Sequence, residues 1–502
     1  MIEDFKRFKS GTDIRGVASE GVPGETVDLT DEAIENMTAG FVAWLKDMTK
    51  KTAGKLTVSV GHDSRISAPR IKGAVIRSLT SFGVSVYDCG LSSTPAMFMT
   101  TMDLNCDGAV QITASHHPYN RNGLKFFTKK GGLGGGDITV ILNYAQQGVA
   151  LPKAEGKAAP VNYMVQYAQR LRQLIIDGTG QTQPLQGLKI IVDAGNGAGG
   201  FYASDVLQPL GADITGSQFL EPDGMFPNHI PNPENKEAME SISKATVSSK
   251  ADLGVIFDTD VDRSSCVDAT GKEINRNRLV ALAAVIALEG NEGGTIVTDS
   301  ITSRGLNVFI EQDLGGKHHR FKRGYKNVID EAVRLNNEGV NSPLAIETSG
   351  HAAFRENYFL DDGAYLITRL IIKMVHLKRQ NKGLESLIET LGEPIEETEL
   401  RLKINTADFK AYGQSVIDGL QEYAKQQGWD IAPDNHEGLR VSFSKDSGDG
   451  WLLLRLSVHD PIMPLNIESD SIGGTKAIAS SLYTYLQTCD GLTITPVKEF
   501  IG

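Results

Sequence analysis

Leu253-Gly254-Val255-Ile256-Phe257-Asp258-Thr259-Asp260-Val261-Asp262-Arg263 is an apolar run that breaks abruptly into acids. Five small or apolar residues in succession fit a strand covered on both faces of a sheet. The acids then fall where such a strand leaves the sheet, the edge at which open α/β sheets bind ligands. On extended backbone, positions i, i+2 and i+4 project to one side. Asp258, Asp260 and Asp262 therefore converge, and converging carboxylates repel unless a cation lies among them. An all-oxygen set selects a hard ion such as Mg²⁺. A helix–loop–helix calcium site is a competing pattern, but Arg263 stands where its turn glycine belongs and a strand precedes the loop. A solvated acidic turn is the plainer alternative; the adjoining buried strand favours the metal.

The same rhythm of strand, polar turn and helix recurs outward from this stretch. Residues 55–60 (KLTVSV), 84–87, 108–112 (GAVQI), 188–192, 294–297 and 344–346 read as further strands. Helical stretches such as 161–176 and 279–288 lie between them, the alternation of parallel α/β units. A linker falls at 148–160, with two prolines and little pattern. Beyond Pro394 the style changes. Residues 400–404, 439–443 and 451–456 read as strands, with a hairpin signal at Gly448-Asp449-Gly450 and helices at 407–427 and 474–487. The expected fold is α/β: three similar mixed α/β domains at 1–150, 160–268 and 269–392, followed by an α+β domain at 398–502.

Composition narrows the function. Fifty Lys+Arg against 62 Asp+Glu give a net charge of −12 across 502 residues. That balance argues against nucleic acid or an anionic membrane as partner, since both need clustered cations. Any phosphate site must then be a local basic island. Cys89, Cys106, Cys266 and Cys489 form no CxxC pair and suit a reducing interior. The start, Met1-Ile2-Glu3-Asp4-Phe5-Lys6, has acids where a secretion signal carries bases. The apolar run at 279–288 is about half the ~20 residues needed to cross a bilayer. The expected location is the cytoplasm.

Three more loops collect chemistry. After 108–112 comes Thr113-Ala114-Ser115-His116-His117-Pro118, which offers a serine at a strand end beside two imidazoles. A helix-capping serine is the bland reading. After 344–346 comes Glu347-Thr348-Ser349-Gly350-His351, able to reach sugar hydroxyls, or else a helix-entry turn. In the last domain, Arg455 and Ser457 suit a phosphate, which a guanidinium can grip with two bonds; an exposed strand end is the alternative. Gly195-Asn196-Gly197-Ala198-Gly199-Gly200, with Glu221 downstream, matches a dinucleotide fingerprint and keeps an oxidoreductase reading open. Asp193 and Asn196 count against it, and the run also reads as a tight strand-to-helix turn.

Taken in order, the serine, acid and Glu347–His351 loops resemble the α-D-phosphohexomutase superfamily, the phosphoglucomutases and phosphomannomutases. Gly11-Thr12-Asp13-Ile14-Arg15-Gly16, Gly61-His62-Asp63-Ser64-Arg65, Asn122-Gly123-Leu124-Lys125 and Phe321-Lys322-Arg323-Gly324-Tyr325 also fall where that family has motifs. The resemblance implies four domains around one central cleft, and an enzyme interconverting hexose 1-phosphate and hexose 6-phosphate. It implies a phosphoryl group on Ser115, Mg²⁺ held by that phosphate with Asp258, Asp260 and Asp262, and a hexose 1,6-bisphosphate as intermediate and activator. It further implies that Arg15, Lys125 and His116 assist catalysis. Thr12, Arg15, Arg263, Lys322, Glu347, Ser349, His351, Arg455 and Ser457 would bind the substrate. Glucose and mannose phosphates are the expected substrates, with glucosamine phosphate as runner-up and a monomer or homodimer as the expected state. Val458, His459 and Asp460 depart from the family's usual Ser-Gly/Asn-Thr-Glu run after the arginine. The departure bears on the substrate more than on the reaction, and a non-catalytic sugar-phosphate binder is a further alternative.

Overall fold

The computed structural model describes residues 4–457 and 460–502. The chain divides into two compact units: one runs to Ile286 and includes Ser349–Leu387, the other comprises Ala287–Thr348 and Ile388–Gly502.

The first unit holds two sheets. In the larger, Thr57–His62 lies parallel to both Ser85–Leu91 and Gly108–Ile112. Arg121–Thr128 then pairs antiparallel with Gly108–Ile112, and Asp13–Val17 antiparallel with Arg121–Thr128. Every residue of Gly108–Ile112 is buried. That includes Gln111, whose amide donates to the Ser92 carbonyl at 2.8 Å, because a polar group in a covered strand needs a partner. Helix Asp31–Thr49 closes one face. Thr30 caps it by accepting from Ala33 N at 3.1 Å, Asp31 and Glu32 occupy its first turn, and Lys50 ends it in the left-handed region. Its buried residues Ile34, Met37, Phe41 and Leu45 recur at helical spacing.

The smaller sheet is built on Leu253–Phe257, parallel to Ile190–Asp193 and antiparallel to Ser264–Asp268. Phe257 faces Ser264 in register, so Asp258–Arg263 is a hairpin loop rather than an extension of the strand. The acids converge through a tight turn, not through the alternation of extended backbone that the sequence suggested. Val261, with φ 69, marks the bend; a β-branched residue there is strained.

In the second unit Thr295–Asp299 runs parallel to Lys317–Phe321 and Leu344–Ile346. The C-terminal sheet is antiparallel: Leu439–Phe443, Gly450–Leu454, Ile462–Ser469 and Glu396–Ile404 follow one another. Helices Phe409–Gln426 and Gly474–Leu486 cover it, with Leu420, Ile478 and Leu482 in its core. The Arg440 guanidinium lies 3.6 Å from the Trp451 ring centre, and Trp451 Nε1 donates to Glu468 at 2.7 Å.

The expected strands lie close to those seen, but Arg121–Thr128, Ser264–Asp268 and Ile462–Ser469 are strands that the sequence reading lacks. Arg121–Thr128 and Ser264–Asp268 return antiparallel, so the sheets are mixed where alternation alone suggested parallel units. Lys55 belongs to the short turn Ala53–Lys55, which delays the first parallel strand to Thr57. The four cysteines are free. No helix among the described residues is long and apolar enough to cross a membrane.

The acid loop is packed from below by glycine. A Cβ added at Gly197 would lie 2.6 Å from the Thr259 carbonyl oxygen. Gly197→Ala is therefore expected to cost about 1–3 kcal/mol, read as a lower denaturant midpoint; an unchanged midpoint would contradict this packing.

Candidate active site

Ser115 follows the buried strand Gly108–Ile112 and is itself only 4% exposed. Its φ of 51 is left-handed, uncommon for a residue with a Cβ. Its N–H donates to Thr113 Oγ1 at 2.9 Å. Its hydroxyl donates to Asp258 Oδ2 at 3.2 Å and accepts from Arg263 Nη2 at 2.8 Å. The same Arg263 nitrogen donates to His116 Nδ1 at 2.6 Å. A guanidinium only donates, so Nδ1 is an acceptor and His116 carries its proton on Nε2. Burial, with the Arg263 charge next, holds the His116 imidazole far below the usual histidine range. It is thus neutral, with the acceptor nitrogen Nδ1 3.3 Å from Ser115 Oγ, and not a charged anion receptor.

Asp258, Asp260 and Asp262 are essentially inaccessible, and their ligand atoms lie within 4.8 Å of one another. Lys125 Nζ sits 2.5 Å from Asp262 Oδ2 and 3.4 Å from Asp260 Oδ2. Thr94 donates its hydroxyl to Asp260 Oδ2, and its N–H to the Asp260 carbonyl at 2.8 Å. Burial raises Asp258 well above the ordinary carboxylate range, and the Asp262 charge adds to it. At Asp262 burial is outweighed by Lys125, His351 and Arg263, which hold that carboxyl far down. Burial and neighbouring charge thus push these two carboxyls in opposite directions, Asp262 toward its charged form and Asp258 toward its neutral one. Among the described residues, Asp260 Oδ1 and Asp262 Oδ1 accept no hydrogen bond although buried. An orphaned buried acceptor is costly, and an oxygen-seeking divalent cation would satisfy both. The residues fit such an ion.

His351 Nδ1 lies 2.6 Å from Asp361 Oδ2 and 3.8 Å from Asp262 Oδ1. Burial opposes its charge, yet Asp361 and Asp262 prevail and lift the imidazole to about 9. Gly350, with φ 97, lets the backbone approach the Ser264 carbonyl, to which a Cβ there would come within 2.6 Å. The first unit thus assembles Ser115, His116, Lys125, the acid loop, Arg263 and His351. Ser349 is also buried there. Arg15 pairs with Asp13 at 2.9 Å, and its Cγ lies beside Gly123, which is hydrogen-bonded to Thr113. Thr12 occupies the turn before it, partly exposed.

In the second unit, Glu347 is buried and its Oε1 accepts from Gly324 N at 2.6 Å. Lys322, exposed, follows strand Lys317–Phe321. Arg455 is 9% exposed, and Ser457 Oγ accepts from Asp460 N at 3.3 Å. Val458 and His459 lie outside the described residues.

Two points left open by the sequence are settled among the described residues. Arg65, in the Gly61–Arg65 motif, is buried and donates to backbone carbonyls, so its terminal nitrogens are spent within the protein. The Gly195–Gly200 run is not a phosphate cradle. Asn196 N, Gly197 N and Ala198 N are bonded to the carbonyls of Phe219, Ala194 and Thr259, leaving none of the three for a pyrophosphate.

The sequence also left one loop unread. Asn232 Oδ1 accepts from Arg263 Nη1 at 3.2 Å, and Glu234 lies 3.9 Å away. His229 anchors this loop from beneath: Nε2 reaches Asp193 at 3.0 Å and Nδ1 the Ile230 carbonyl at 3.0 Å. Phe226-Pro227-Asn228-His229-Ile230-Pro231-Asn232-Pro233 has two features that could have flagged it, prolines that stiffen it and a histidine among them.

A serine oxygen held between a guanidinium and a carboxyl, beside a carboxylate trio fit for a divalent cation, is equipment for metal-assisted phosphoryl transfer. Comparison with known proteins then names the family. Residues 7–145, 166–271 and 275–394 match the models "Phosphoglucomutase/phosphomannomutase, alpha/beta/alpha domain" I, II and III. The phosphomannomutase/phosphoglucomutase of Pseudomonas putida is 30% identical over 476 residues, 94% of each chain. A phosphoglucomutase of Neisseria gonorrhoeae is 29% identical over 480 residues, 95% of this chain and 96% of that one. The crystal structure of a phosphoglucomutase/phosphomannomutase family protein from Burkholderia thailandensis superposes with a TM-score of 0.79 at 27% identity, covering 98% of both chains. The chain belongs to the phosphoglucomutase/phosphomannomutase family.

The His229 anchor gives a pH prediction. Both its nitrogens meet acceptors, so it is an imidazolium. Burial opposes that charge, but Asp193 and the Ile230 carbonyl raise it above the usual histidine value. A raised folded-state value contributes stability that is full below about 6.5 and is lost as pH rises through the raised value. His229→Gln should therefore lower the thermal midpoint most near pH 6, with the gap from the parent closing as the medium turns alkaline. A gap independent of pH would contradict the assignment.

Proposed function

We propose that the chain is a phosphohexomutase that moves a phosphoryl group between O1 and O6 of glucose or mannose phosphates. The observation that carries this reading is Ser115: its oxygen is held between Arg263 and Asp258 at the mouth of the acid loop. On this reading Ser115 carries a phosphoryl group in the resting enzyme and passes it to the bound hexose phosphate. The resulting hexose 1,6-bisphosphate turns over and returns its other phosphate to Ser115.

The remaining residues take roles suited to that chemistry. Asp258, Asp260 and Asp262 hold Mg²⁺, which supplies charge stabilisation for the transferring group when bound. In the return half-reaction Ser115 Oγ bonds to phosphorus as the bond from phosphorus to the sugar oxygen breaks. The Ser115 proton is transferred to the departing sugar oxygen, with Lys125 as the relay that gives one proton up and takes one back. Arg15 and Arg263 offset the phosphate charge, and the neutral His116 donates from Nε2. Ser349 and His351 in the first unit, and Glu347 in the second, are each suited to bind sugar hydroxyls. In the second unit Arg455, Ser457 and Lys322 would bind the non-reacting phosphate, and Thr12 of the first unit is a further substrate-binding candidate. The names of the relatives support glucose and mannose. Phosphoglucosamine mutase is the second reading, because the Glu347-Thr348-Ser349-Gly350-His351 run has a form that such enzymes share. The enzyme would work in the cytoplasm as a monomer or homodimer.

Coupled assays on the 1-phosphates of glucose, mannose and glucosamine test this directly. Turnover of glucose or mannose 1-phosphate, abolished in Ser115→Ala, is the expected result; turnover of glucosamine 1-phosphate alone would overturn the substrate assignment. Asp260→Asn should lower kcat by roughly 10²–10³-fold and flatten the dependence on Mg²⁺. Full activity of the parent in metal-free buffer would remove the metal assignment.

A further inference from the structure

We propose that Arg65 is a positioning residue for phosphoryl transfer: its buried guanidinium fixes the left-handed backbone of the serine loop and turns that loop's carbonyls away from the phosphate. The inference rests on the reading of Ser115 as the phosphoryl carrier. Arg65 is 1% exposed. Its Nη2 donates to the carbonyls of Ser115 at 2.5 Å and His117 at 2.6 Å. Its Nη1 donates to the carbonyls of Pro118 at 2.7 Å and Arg121 at 2.9 Å. Each terminal nitrogen thus spends its two N–H groups on two carbonyls, a planar arrangement that lysine, a point charge on a flexible stem, cannot reproduce.

Ser115 is the residue that needs such support. A serine at φ 51 persists only where its surroundings over-determine it. Thr113 Oγ1 takes the Ser115 N–H on one side, and Arg65 takes the Ser115 carbonyl and the next two carbonyls within its reach on the other. With the backbone held, the Ser115 hydroxyl faces Asp258 and Arg263. The electrostatics run the same way. A phosphoserine bears roughly −1.5 to −2 charges at neutral pH, and carbonyl oxygens aimed at it would repel it. Here the carbonyls of Ser115, His117 and Pro118 are directed instead at a cation inside the protein. Arg65 makes no hydrogen bond to Ser115 Oγ among the described residues, so it acts through the loop and not on the reacting atoms.

Arg65 is itself held rigidly. Its Nε lies 3.3 Å from Asp63 Oδ2, and its N–H donates to Asp63 Oδ1 at 3.0 Å. Gly224 packs directly on this turn; a Cβ there would lie 2.3 Å from Ile66 N and 2.5 Å from the Ser64 carbonyl oxygen. The guanidinium lies 5.2 Å from the centre of the Phe226 ring. Asp63-Ser64-Arg65 therefore ties the serine loop to the segment that leads into the Arg263-holding loop.

The test compares the parent with Arg65→Lys and Arg65→Met. Mn²⁺ binding, followed by electron paramagnetic resonance, reports an intact acid loop. Steady-state kinetics give kcat and KM, and intact mass gives the rate of Ser115 phosphorylation from hexose 1,6-bisphosphate. The expected result is Mn²⁺ binding and KM close to the parent's, with kcat and the phosphorylation rate reduced ~100-fold in Arg65→Met and less in Arg65→Lys. Variants that bind Mn²⁺ and phosphorylate at the parental rate would overturn the positioning role, leaving the Ser115 reading intact. Loss of Mn²⁺ binding in both variants would overturn it in favour of a purely structural role. A parent that takes up no phosphate would contradict the Ser115 reading, and this inference with it.

Discussion

Three carboxylates buried at one end of a strand set the terms for the first unit. Asp258, Asp260 and Asp262 are 0–1% exposed, and water cannot screen them. Charges so placed must be paired or neutralised. Lys125 comes from the neighbouring sheet, Arg263 from the loop's own end, and His351 from a distant part of the sequence. Removing one partner of such a pair typically costs ~3–5 kcal/mol, so these contacts bind separate stretches of chain into one centre. The glycines at 197, 350 and 363 follow from the same demand, since each admits backbone against the loop or its flanking strand.

The charge balance also explains why the centre suits its proposed task. Asp258, Asp260, Asp262 and Asp361 face Lys125, Arg263 and a protonated His351, a set one positive charge short when every carboxyl is ionised. The upward push that burial gives Asp258 acts to close that difference. A divalent cation and a phosphate dianion together add almost no net charge. On the proposed reading, taking up a metal and a phosphoserine together would change the charge of the centre little. An acidic protein at −12 overall holds its phosphate chemistry in cations contributed one by one.

Much of this was legible in the sequence, and the limits have physical causes. The strands 108–112, 253–257, 344–346 and 439–443 were readable because a short continuous apolar run next to a polar or glycine-rich turn suits a covered strand and little else. Ser115, Lys125 and the acid trio were readable through chemistry at strand ends and through family resemblance. The strands Arg121–Thr128 and Ser264–Asp268 were not, because polar residues such as Arg121, Asn122 and Lys125, or Ser264, Ser265 and Asp268, interrupt the apolar run, and their antiparallel return to a neighbouring strand leaves no local trace. The convergence of the acids was foreseen but its cause was not: the alternation of a strand and the bend at Val261 both bring carboxylates together. Arg65 was legible as a cation, but its four carbonyl partners lie on a loop some fifty residues onward, and long-range pairing leaves no local trace. His229 and Thr94 were missed for the same reason.

The central claim is that the chemistry passes through one oxygen, Ser115 Oγ. The most direct measurement is peptide-level mass spectrometry of the full chain after exposure to hexose 1,6-bisphosphate and Mg²⁺. The account predicts a single added phosphoryl group located on Ser115 and lost when hexose phosphate is then supplied. A chain that gains no phosphate, or gains it at another residue while turning over substrate, would contradict it.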